Sequence, residues 1–189
     1  NLDIEYLKDI FQSCRMPVCY AGNIKSLEQA SQLYSIGVEK IGLGDILIYD
    51  LNIISKISKT FGSQSVVSIL NLVERNNRIY LYDYKNKVIK NDLDIFEFLS
   101  KIQDLGTGEI ILHFVENDGN MKGYNYNLID KLIDYIKVPL VFLGGLSSIN
   151  EILNINKNYS LKGIAGSSLF IYKGRLRSVL INYPTNLFK

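Results

Sequence analysis

The sequence predicts an α/β fold, a (β/α)8 TIM barrel represented by its strands three to eight, on three observations. Short apolar segments alternate with amphipathic ones, which is the pattern of parallel strands buried on both faces and joined by helices. One strand–helix unit occurs twice, as in barrels that arose by duplication. The 189 residues fall short of a complete barrel of about 250 residues by roughly two strands and a helix. One N-terminally truncated barrel domain over residues 1–189 is therefore expected.

Each predicted strand is a short apolar segment bounded by polar or glycine-containing turns. This brevity is typical of strands that are covered on both faces. Residues 78–86 (RIYLYDYKN) are an exception, because the turn RNNR joins them to the preceding strand and predicts a β-hairpin extension. The barrel strands are expected at Pro17–Tyr20, Lys40–Leu43, Ser65–Asn71, Glu109–Val115, Pro139–Leu143 and Gly163–Gly166.

Capping patterns place helices between these strands. Ser26–Gln29 and Ser148–Glu151 are capping boxes, and Asn127 is a candidate N-cap for a further helix. Glycines that follow amphipathic segments predict where two helices end. The remaining predicted helices are Ile4–Phe11, Ile46–Phe61 before Gly62, and Leu93–Leu105 before Gly106.

The repeat predicts that strands are missing from the N-terminal side. Residues 16–29 (MPVCYAGNIKSLEQ) align with 138–151 (VPLVFLGGLSSINE), and 39–47 (EKIGLGDIL) align with 162–170 (KGIAGSSLF). Each copy contains a strand, a glycine-containing turn, a capped helix, a second strand and the start of another helix. Two strands precede the second copy, whereas only a helical stretch precedes the first. Two strands and a helix are thus expected to be absent.

Composition argues against several classes of function. Hydrophobic residues make up 47%, charged residues 21%, and the net charge is +2, so nothing favours binding to nucleic acid or an acidic membrane surface. No apolar run is long enough to span a bilayer, and a cytoplasmic protein is expected. One histidine without clustered ligands predicts no metal site. Cys14 and Cys19 are interpreted as buried thiols in a reducing compartment.

Four segments carry a resemblance to a known family: KTFGSQSVV (59–67), GEIILHFVENDGNMKGY (108–124), VPLVFLGGLSSINEI (138–152) and GSSLFIYKG (166–174). Together they resemble the cyclase subunit of imidazole glycerol phosphate synthase, a barrel of the ribulose-phosphate-binding type. The resemblance implies a phosphorylated small-molecule substrate, ammonia from a glutaminase subunit in a heterodimer, lyase-type chemistry and no cofactor. The ending GRLRSVLINYP (174–184) is more similar to a paralogous branch, which is associated with a sugar amidotransferase and the amidation of surface-glycan sugars.

The resemblance places two acid–base aspartates at the carboxyl ends of the first and fifth barrel strands. The first strand is expected to be absent, and the fifth offers Asn71, whose amide neither takes nor gives a proton near neutral pH. Asn71 either closes a strand as an ordinary polar residue or marks an altered reaction centre. His113 lies where the family commonly has threonine. It is either a satisfied core residue or a proton-transfer group that partly replaces the lost aspartate.

The resemblance also implies phosphate sites at glycine turns and helix N-termini. In the first half, the second turn reads Gly44-Asp45, and the Asp45 carboxylate is expected to satisfy a helix N-terminus and repel phosphate. The phosphate site of the first half is therefore predicted to be lost. The residues that match phosphate-contacting positions are Gly144, Gly145, Ser167, Ser168, Asp118 and Gly119 in the second half, and Gly22 and Asn23 in the first.

An ammonia gate of charged residues is the last implied feature, at the amino ends of the barrel strands. Lys40 and Glu109 begin their strands and match two gate positions. The adjacent Glu39 matches an acidic position that faces the glutaminase. The alternative is that all three are ordinary charged residues at strand ends.

Three functions remain open from the sequence. The first is a paralogous ammonia-receiving subunit that supports sugar amidation, which the eroded reaction centre and the ending favour. The second is a cyclase of histidine biosynthesis, which converts a phosphoribulosyl-formimino aminoimidazole carboxamide ribonucleotide and ammonia to imidazole glycerol phosphate and AICAR. The third is an inactive truncated product or a scaffold for a partner.

Overall fold

A computed structural model describes residues 2–174 and 176–181, and its centre is one curved sheet. The strands are short, as the sequence predicts, except for the third, which extends well beyond Asn71. In chain order they are β1 Cys19–Ala21, β2 Lys40–Leu43, β3 Val66–Arg75, β4 Arg78–Asp83, β5 Val88–Lys90, β6 Glu109–Phe114, β7 Leu140–Leu143, β8 Gly163–Ala165, β9 Tyr172–Lys173 and β10 Ser178–Val179.

The order of the strands confirms the incomplete barrel. Within the described residues, β1, β2, β3, β6, β7 and β8 are neighbours in that sequence, and each adjacent pair is parallel. Every connection between them contains helix, as expected of consecutive strand–helix units. The carboxyl ends of all six strands therefore lie along one edge of the sheet, where barrels of this kind carry their functional loops.

Helices cover the outer face of this sheet. Their bounds are α1 Ile4–Ser13, α2 Leu27–Ser35, α3 Ile46–Tyr49, α4 Asn52–Phe61, α5 Ile95–Asp104, α6 Tyr126–Leu132, α7 Ile149–Asn158 and α8 Ser168–Ile171, with 3-10 turns at Ser63–Ser65 and Ile133–Tyr135. The two capping boxes are confirmed at their N-caps. Ser26 Oγ accepts from the backbone N–H of Gln29, and Ser148 Oγ accepts from that of Glu151.

The two faces of the sheet have different environments. Alternate residues of the central strands, such as Leu70 and Leu112, are buried in the core beneath the helices. The residues between them face the opposite side, which would be the interior of a closed barrel. Of these, Val67 is buried whereas Ile69 and Ile111 are only half-buried. The inner face is apolar along the middle of the strands, and its polar side chains lie at the two ends.

Three predicted helices differ from the sequence interpretation. The stretch Ile46–Phe61 is two helices, because Asp50 leaves the helical conformation and its carboxylate accepts from the backbone N–H of Asn52. The N-cap of α6 is Asn125 and not Asn127, since the Asn125 side chain accepts from the N–H of Leu128. Helix α5 likewise begins later than predicted, because Asp94 caps it.

The hairpin extension is larger than predicted. β4 pairs antiparallel with the end of β3, and β5 adds a third strand to it. Asn76 and Asn77 both have positive φ, which makes the connecting turn tight and matches the twist of the strands. Asp83 is buried at the end of β4, where Tyr49 and Asn86 donate to its carboxylate. These contacts fix the extension to α3. The extension, residues 76–90, is called the meander from here on.

The cysteine interpretation is wrong about burial, although both residues are free thiols as expected. Cys14 and Cys19 are both free and exposed. Cys14 follows α1, which buries none of its residues, and Cys19 lies on the edge strand β1.

Two further expectations concern membrane-spanning helices and the ending 174–184. None of the helices within residues 2–174 and 176–181 has the length and apolarity that a bilayer span requires. Of the ending 174–184, Arg175 and residues 182–184 lie outside the described residues.

Candidate active site at the carboxyl edge of the sheet

Asn71 and His113 lie side by side on the inner face at the carboxyl ends of β3 and β6. They are register partners in the parallel ladder, and His113 Nδ1 lies 2.9 Å from Asn71 Oδ1. Both side chains belong to residues that are at most 9% exposed. Both residues are candidate catalytic groups by sequence, and the structure brings them into direct contact.

Asp45 joins this pair from the turn after β2. Its Oδ1 accepts from Asn71 Nδ2 at 3.0 Å, and its Oδ2 accepts from the backbone N–H of Lys85 in the meander at 3.0 Å. Although Asp45 stands at the N-cap of α3, its side chain makes no capping hydrogen bond. The expectation that its carboxylate satisfies the helix N-terminus is therefore wrong, since the carboxylate is directed across the sheet to Asn71.

The other ring nitrogen of His113 faces the loop after β6. His113 Nε2 lies 3.4 Å from Asp118 Oδ2, and this buried nitrogen has no hydrogen-bond partner among the described residues. The Tyr84 ring of the meander stacks on the imidazole, with centroids 6.1 Å apart and planes 12° from parallel. Burial lowers the pKa of His113 and outweighs the opposing effect of Asp118. The imidazole is thus neutral at neutral pH and carries one free lone pair.

The predicted phosphate-contacting residues of the second half share one cleft beside His113. Gly144 and Gly145 have φ of +89° and +111°, conformations that favour glycine. A side chain at Gly144 would meet the backbone oxygen of Phe114, so the turn after β7 packs directly on β6. The cleft is lined by Asp118, Gly119, Met121, Gly144, Gly145, Leu146, Gly166, Ser167 and Ser168. Near it, the exposed Arg177 guanidinium donates to the backbone oxygen of Gly119 at 3.3 Å.

Glu151 holds the loops of this cleft together, a role that the sequence did not reveal. It is 9% exposed, and its carboxylate accepts from the backbone N–H and hydroxyl of Ser147 at 2.8 Å each. It also accepts from the backbone N–H of Tyr124 and the hydroxyl of Tyr126. Burial alone would raise the pKa of Glu151, but these hydrogen bonds outweigh burial and lower it. Glu151 is therefore a buried carboxylate that ties the β7–α7 turn to the segment before α6.

Gly22 and Asn23 lie apart from this cleft. They follow the edge strand β1, and they are not among the residues that line the cleft. Asn23 has a φ of +53°, which asparagine tolerates better than most residues. The structure therefore does not unite the phosphate-contacting positions of the two halves in one site.

The opposite edge of the sheet carries the predicted gate residues. Lys40 at the start of β2 and Glu109 at the start of β6 form an ion pair across the inner face. Glu109 is 8% exposed, so this pair is partly withdrawn from solvent. Glu39 is exposed next to it, and its backbone N–H donates to Val18. On the inner face, the apolar side chains of β3 and β6 separate this pair from the Asn71–His113 pair.

Nothing in the described ranges 2–174 and 176–181 groups three or more histidine, cysteine, aspartate or glutamate side chains as a metal site would. The chemistry that the residues offer is proton transfer and anion binding. A neutral imidazole can accept a proton at its unprotonated ring nitrogen, and the glycine turns and serines can donate to an anion.

Comparison with known proteins identifies the family of the chain. The family model described as "Histidine biosynthesis protein" matches residues 1–177. The Vibrio vulnificus protein named "Putative imidazole glycerol phosphate synthase subunit hisF3" is 38% identical over 97% of this chain and 71% of its own length. A similarly named HisF protein of Leptospira borgpetersenii is 36% identical over 97% of this chain and 72% of its own length. The "Imidazole glycerol phosphate synthase subunit HisF" of Buchnera aphidicola (Acyrthosiphon pisum) is 29% identical over 89% and 67%. The chain therefore belongs to the histidine-biosynthesis protein family, among the cyclase subunits of imidazole glycerol phosphate synthase and their paralogues.

Proposed function

We propose that this chain is the ammonia-receiving subunit of a glutaminase pair and that it supports the amidation of a surface-glycan sugar. Ammonia enters at the Lys40–Glu109 edge, passes along the inner face and is used beside His113. The observation that carries the proposal is the placement of two polar centres at opposite ends of an otherwise apolar inner face.

The entry end has the chemistry of a filter for neutral molecules. Lys40 and Glu109 neutralise each other across the strands, and Glu109 is nearly buried. The side chains above them on the inner face are apolar, including Val67, Ile69 and Ile111. With this face enclosed, an ion would lose its hydration here at a cost of several kcal/mol, whereas uncharged ammonia would not. The exposed Glu39 beside the pair is suited to contact the glutaminase subunit.

The substrate end supports an acceptor with one anionic group. The cleft beside Gly144 and Gly145 includes the hydroxyls of Ser167 and Ser168, which can donate to phosphate oxygens. On the other side, the Asp45 carboxylate occupies the turn where a second phosphate would bind, and it would repel that phosphate. This asymmetry favours a singly phosphorylated or nucleotide-linked sugar over the bisphosphate substrate of the histidine pathway.

The cyclase of histidine biosynthesis is the second candidate, and His113 favours it. Asn71 cannot act as an acid or base, but the adjacent imidazole is neutral, buried and free at Nε2. A proton acceptor therefore survives close to the position of the missing aspartate. Formation of AICAR from the ribonucleotide by the purified complex would establish this candidate and overturn the sugar-amidation role.

Disrupting the Lys40–Glu109 pair should uncouple glutamine hydrolysis from nitrogen transfer to the acceptor. In Glu109→Leu, Lys40 loses its partner, so we expect glutamine hydrolysis to continue while ammonia escapes to solvent. The measurement is the ratio of nitrogen transferred to the acceptor to glutamate released by the complex with its glutaminase partner. We expect that ratio to fall at least about tenfold, a loss that corresponds to about 1.4 kcal/mol.

Glu97→Gln is the matched control, because Glu97 forms an exposed ion pair with Lys101 on the outer helix α5. It should leave the ratio unchanged, since exposed pairs contribute little. A wild-type ratio in Glu109→Leu would show that Lys40 and Glu109 are ordinary charged residues at strand ends.

A further inference from the structure

We propose that Asp45 is a positioning residue: through the Asn71 amide it holds neutral His113 as the Nδ1–H tautomer, with the Nε2 lone pair directed at Asp118 and the cleft. The catalytic use of that lone pair rests on the proposed function, whereas the tautomer itself does not. Asp45, Asn71 and His113 come from three neighbouring parallel strands, and the chain of contacts crosses all three.

Asp45 determines the orientation of the Asn71 amide. Asp45 uses Oδ2 to accept from the backbone N–H of Lys85, which is always a donor. Its other oxygen, Oδ1, meets the Asn71 amide at 3.0 Å. An ionised carboxylate has no proton to give, so the amide must present its NH2 group to Asp45. The Asn71 carbonyl oxygen is therefore directed at His113.

The Asn71 carbonyl oxygen determines which nitrogen of His113 carries the proton. A carbonyl oxygen only accepts, so the imidazole nitrogen that faces it at 2.9 Å must carry a proton. A neutral imidazole has one N–H, and Asn71 thus fixes it at Nδ1. An isolated histidine side chain favours the opposite tautomer, so the assignment depends on the Asp45–Asn71 contact. Burial, which lowers the pKa of His113, keeps the ring neutral despite the adjacent Asp118.

His113 Nε2 is left as an acceptor for a proton of a ligand. It is buried without a hydrogen-bond partner among the described residues, and Asp118 Oδ2 lies 3.4 Å away. A lone pair and a carboxylate oxygen at this distance are two acceptors that share no proton. A ligand N–H or O–H at this point would satisfy them. The Tyr84 ring stacks on the imidazole and restricts its rotation, so the lone pair keeps its direction.

This arrangement fits one proton-transfer step of nitrogen incorporation. When the ammonia lone pair forms a bond to an electrophilic carbon, the nitrogen becomes positively charged and must lose a proton. That proton passes to His113 Nε2, while the electrons of the broken N–H bond remain on the nitrogen. Asp118 stabilises the resulting imidazolium. As the carbon–nitrogen bond forms, the carbon–oxygen bond of the acceptor breaks and its electron pair stays on the departing oxygen. The imidazolium returns the proton to that oxygen, so no further reagent is required.

Nitrogen NMR of the single histidine tests the tautomer directly. Because the chain contains one histidine, selective ¹⁵N-histidine labelling reports His113 alone. At a pH at which the ring is neutral, we expect the wild-type chain to carry its proton on Nδ1, with Nε2 resonating as an unprotonated nitrogen. A wild-type proton on Nε2 would overturn the proposal, whatever the variants show.

Asp45→Asn is the variant that should exchange the tautomer of His113. Its carbonyl oxygen must accept from the Lys85 N–H, so its NH2 group faces Asn71, whose amide then turns over. Asn71 would donate to His113 Nδ1, and we expect the proton to move to Nε2. Asp92→Asn is the control, because Asp92 is exposed and paired with Lys90; it should leave the wild-type tautomer.

An unchanged tautomer in Asp45→Asn would contradict the role of Asp45. A chain with the expected tautomers that transfers no nitrogen would contradict only the proposed function, so the two failures are distinguishable.

Discussion

Replacing His113 by alanine is expected to lower the rate of nitrogen transfer to the acceptor by about 10²–10⁴-fold, the usual contribution of general acid–base catalysis. The expectation rests on the position of the imidazole, which is buried at the carboxyl edge with Nε2 free. Asn71 cannot take over, because an amide does not titrate near neutral pH. The measurement is the rate at which the complex of the chain with its glutaminase partner transfers glutamine nitrogen to the acceptor.

His113→Asn separates proton transfer from packing. The asparagine NH2 group can still donate to Asn71 Oδ1, as Nδ1 does at 2.9 Å, but the variant has no counterpart of Nε2. We expect it to be as slow as His113→Ala while unfolding in urea closer to the wild-type chain. If both variants transfer nitrogen at the wild-type rate, His113 is a core residue without a catalytic role.

Replacing Gly145 by alanine is expected to lower the free energy of unfolding by about 3 kcal/mol, combining the strain of a positive φ with overpacking. Gly145 has a φ of +111°, and an added Cβ would lie 2.6 Å from the backbone oxygen of Gly123 and 2.8 Å from Asn117 Cβ. These groups belong to the loop that joins β6 to α6. The backbone N–H of Gly123 also donates to Gly145 at 2.7 Å, so the substitution would separate two loops that define the cleft.

Gly37→Ala is the matched control for the same experiment. Its φ of +98° imposes a similar strain, but nothing lies within 4 Å of the position that a Cβ would occupy. We expect it to cost about 1 kcal/mol, as for other strained positions without a clash. Urea unfolding of both variants gives the comparison. Equal losses would mean that contact between the two loops does not stabilise the cleft.

The barrel strands and the two serine N-caps, Ser26 and Ser148, were predictable because each has a local cause. Parallel strands that are buried on both faces produce short apolar segments, and the capping serines satisfy N–H groups within their own first turn. In each capping box, however, the hydrogen bond made by the Gln or Glu side chain differs from expectation. Gln29 accepts from the backbone N–H of Lys25, and Glu151 accepts from that of Ser147, one residue before the serine in each case.

The break between α3 and α4 was not predictable from the same signals. The apolar periodicity continues from Ile46 to Phe61, and neither glycine nor proline interrupts it. Asp50 ends the first helix by accepting from the N–H of Asn52 two residues later, a local bond that aspartate can make in many contexts. Hydrophobic pattern alone does not report such a competition between helix and turn.

The polar network of the site depends on contacts between distant parts of the chain. The sequence placed Asn71 at the end of one predicted strand and His113 within the next, but it predicted that Asp45 would satisfy a helix N-terminus. The contact of Asp45 with Asn71 spans 26 residues and its contact with Lys85 spans 40. Tyr84 reaches His113 because the meander folds over the carboxyl edge. No local pattern encodes these approaches, since they arise from how the meander packs.

The most direct test of the central claim, that ammonia passes along the inner face from the glutaminase to His113, is an isotope competition. The complex receives glutamine labelled with ¹⁵N at its amide and a large excess of unlabelled ammonium in the buffer. Mass spectrometry of the product then reports the source of the transferred nitrogen.

If ammonia passes along the inner face, we predict that the product nitrogen keeps the isotopic enrichment of the glutamine amide. In Glu109→Leu, the same enrichment should fall towards that of the buffer. A wild-type product that already carries the enrichment of the mixed ammonium pool would contradict the account, because its nitrogen would have come from solvent.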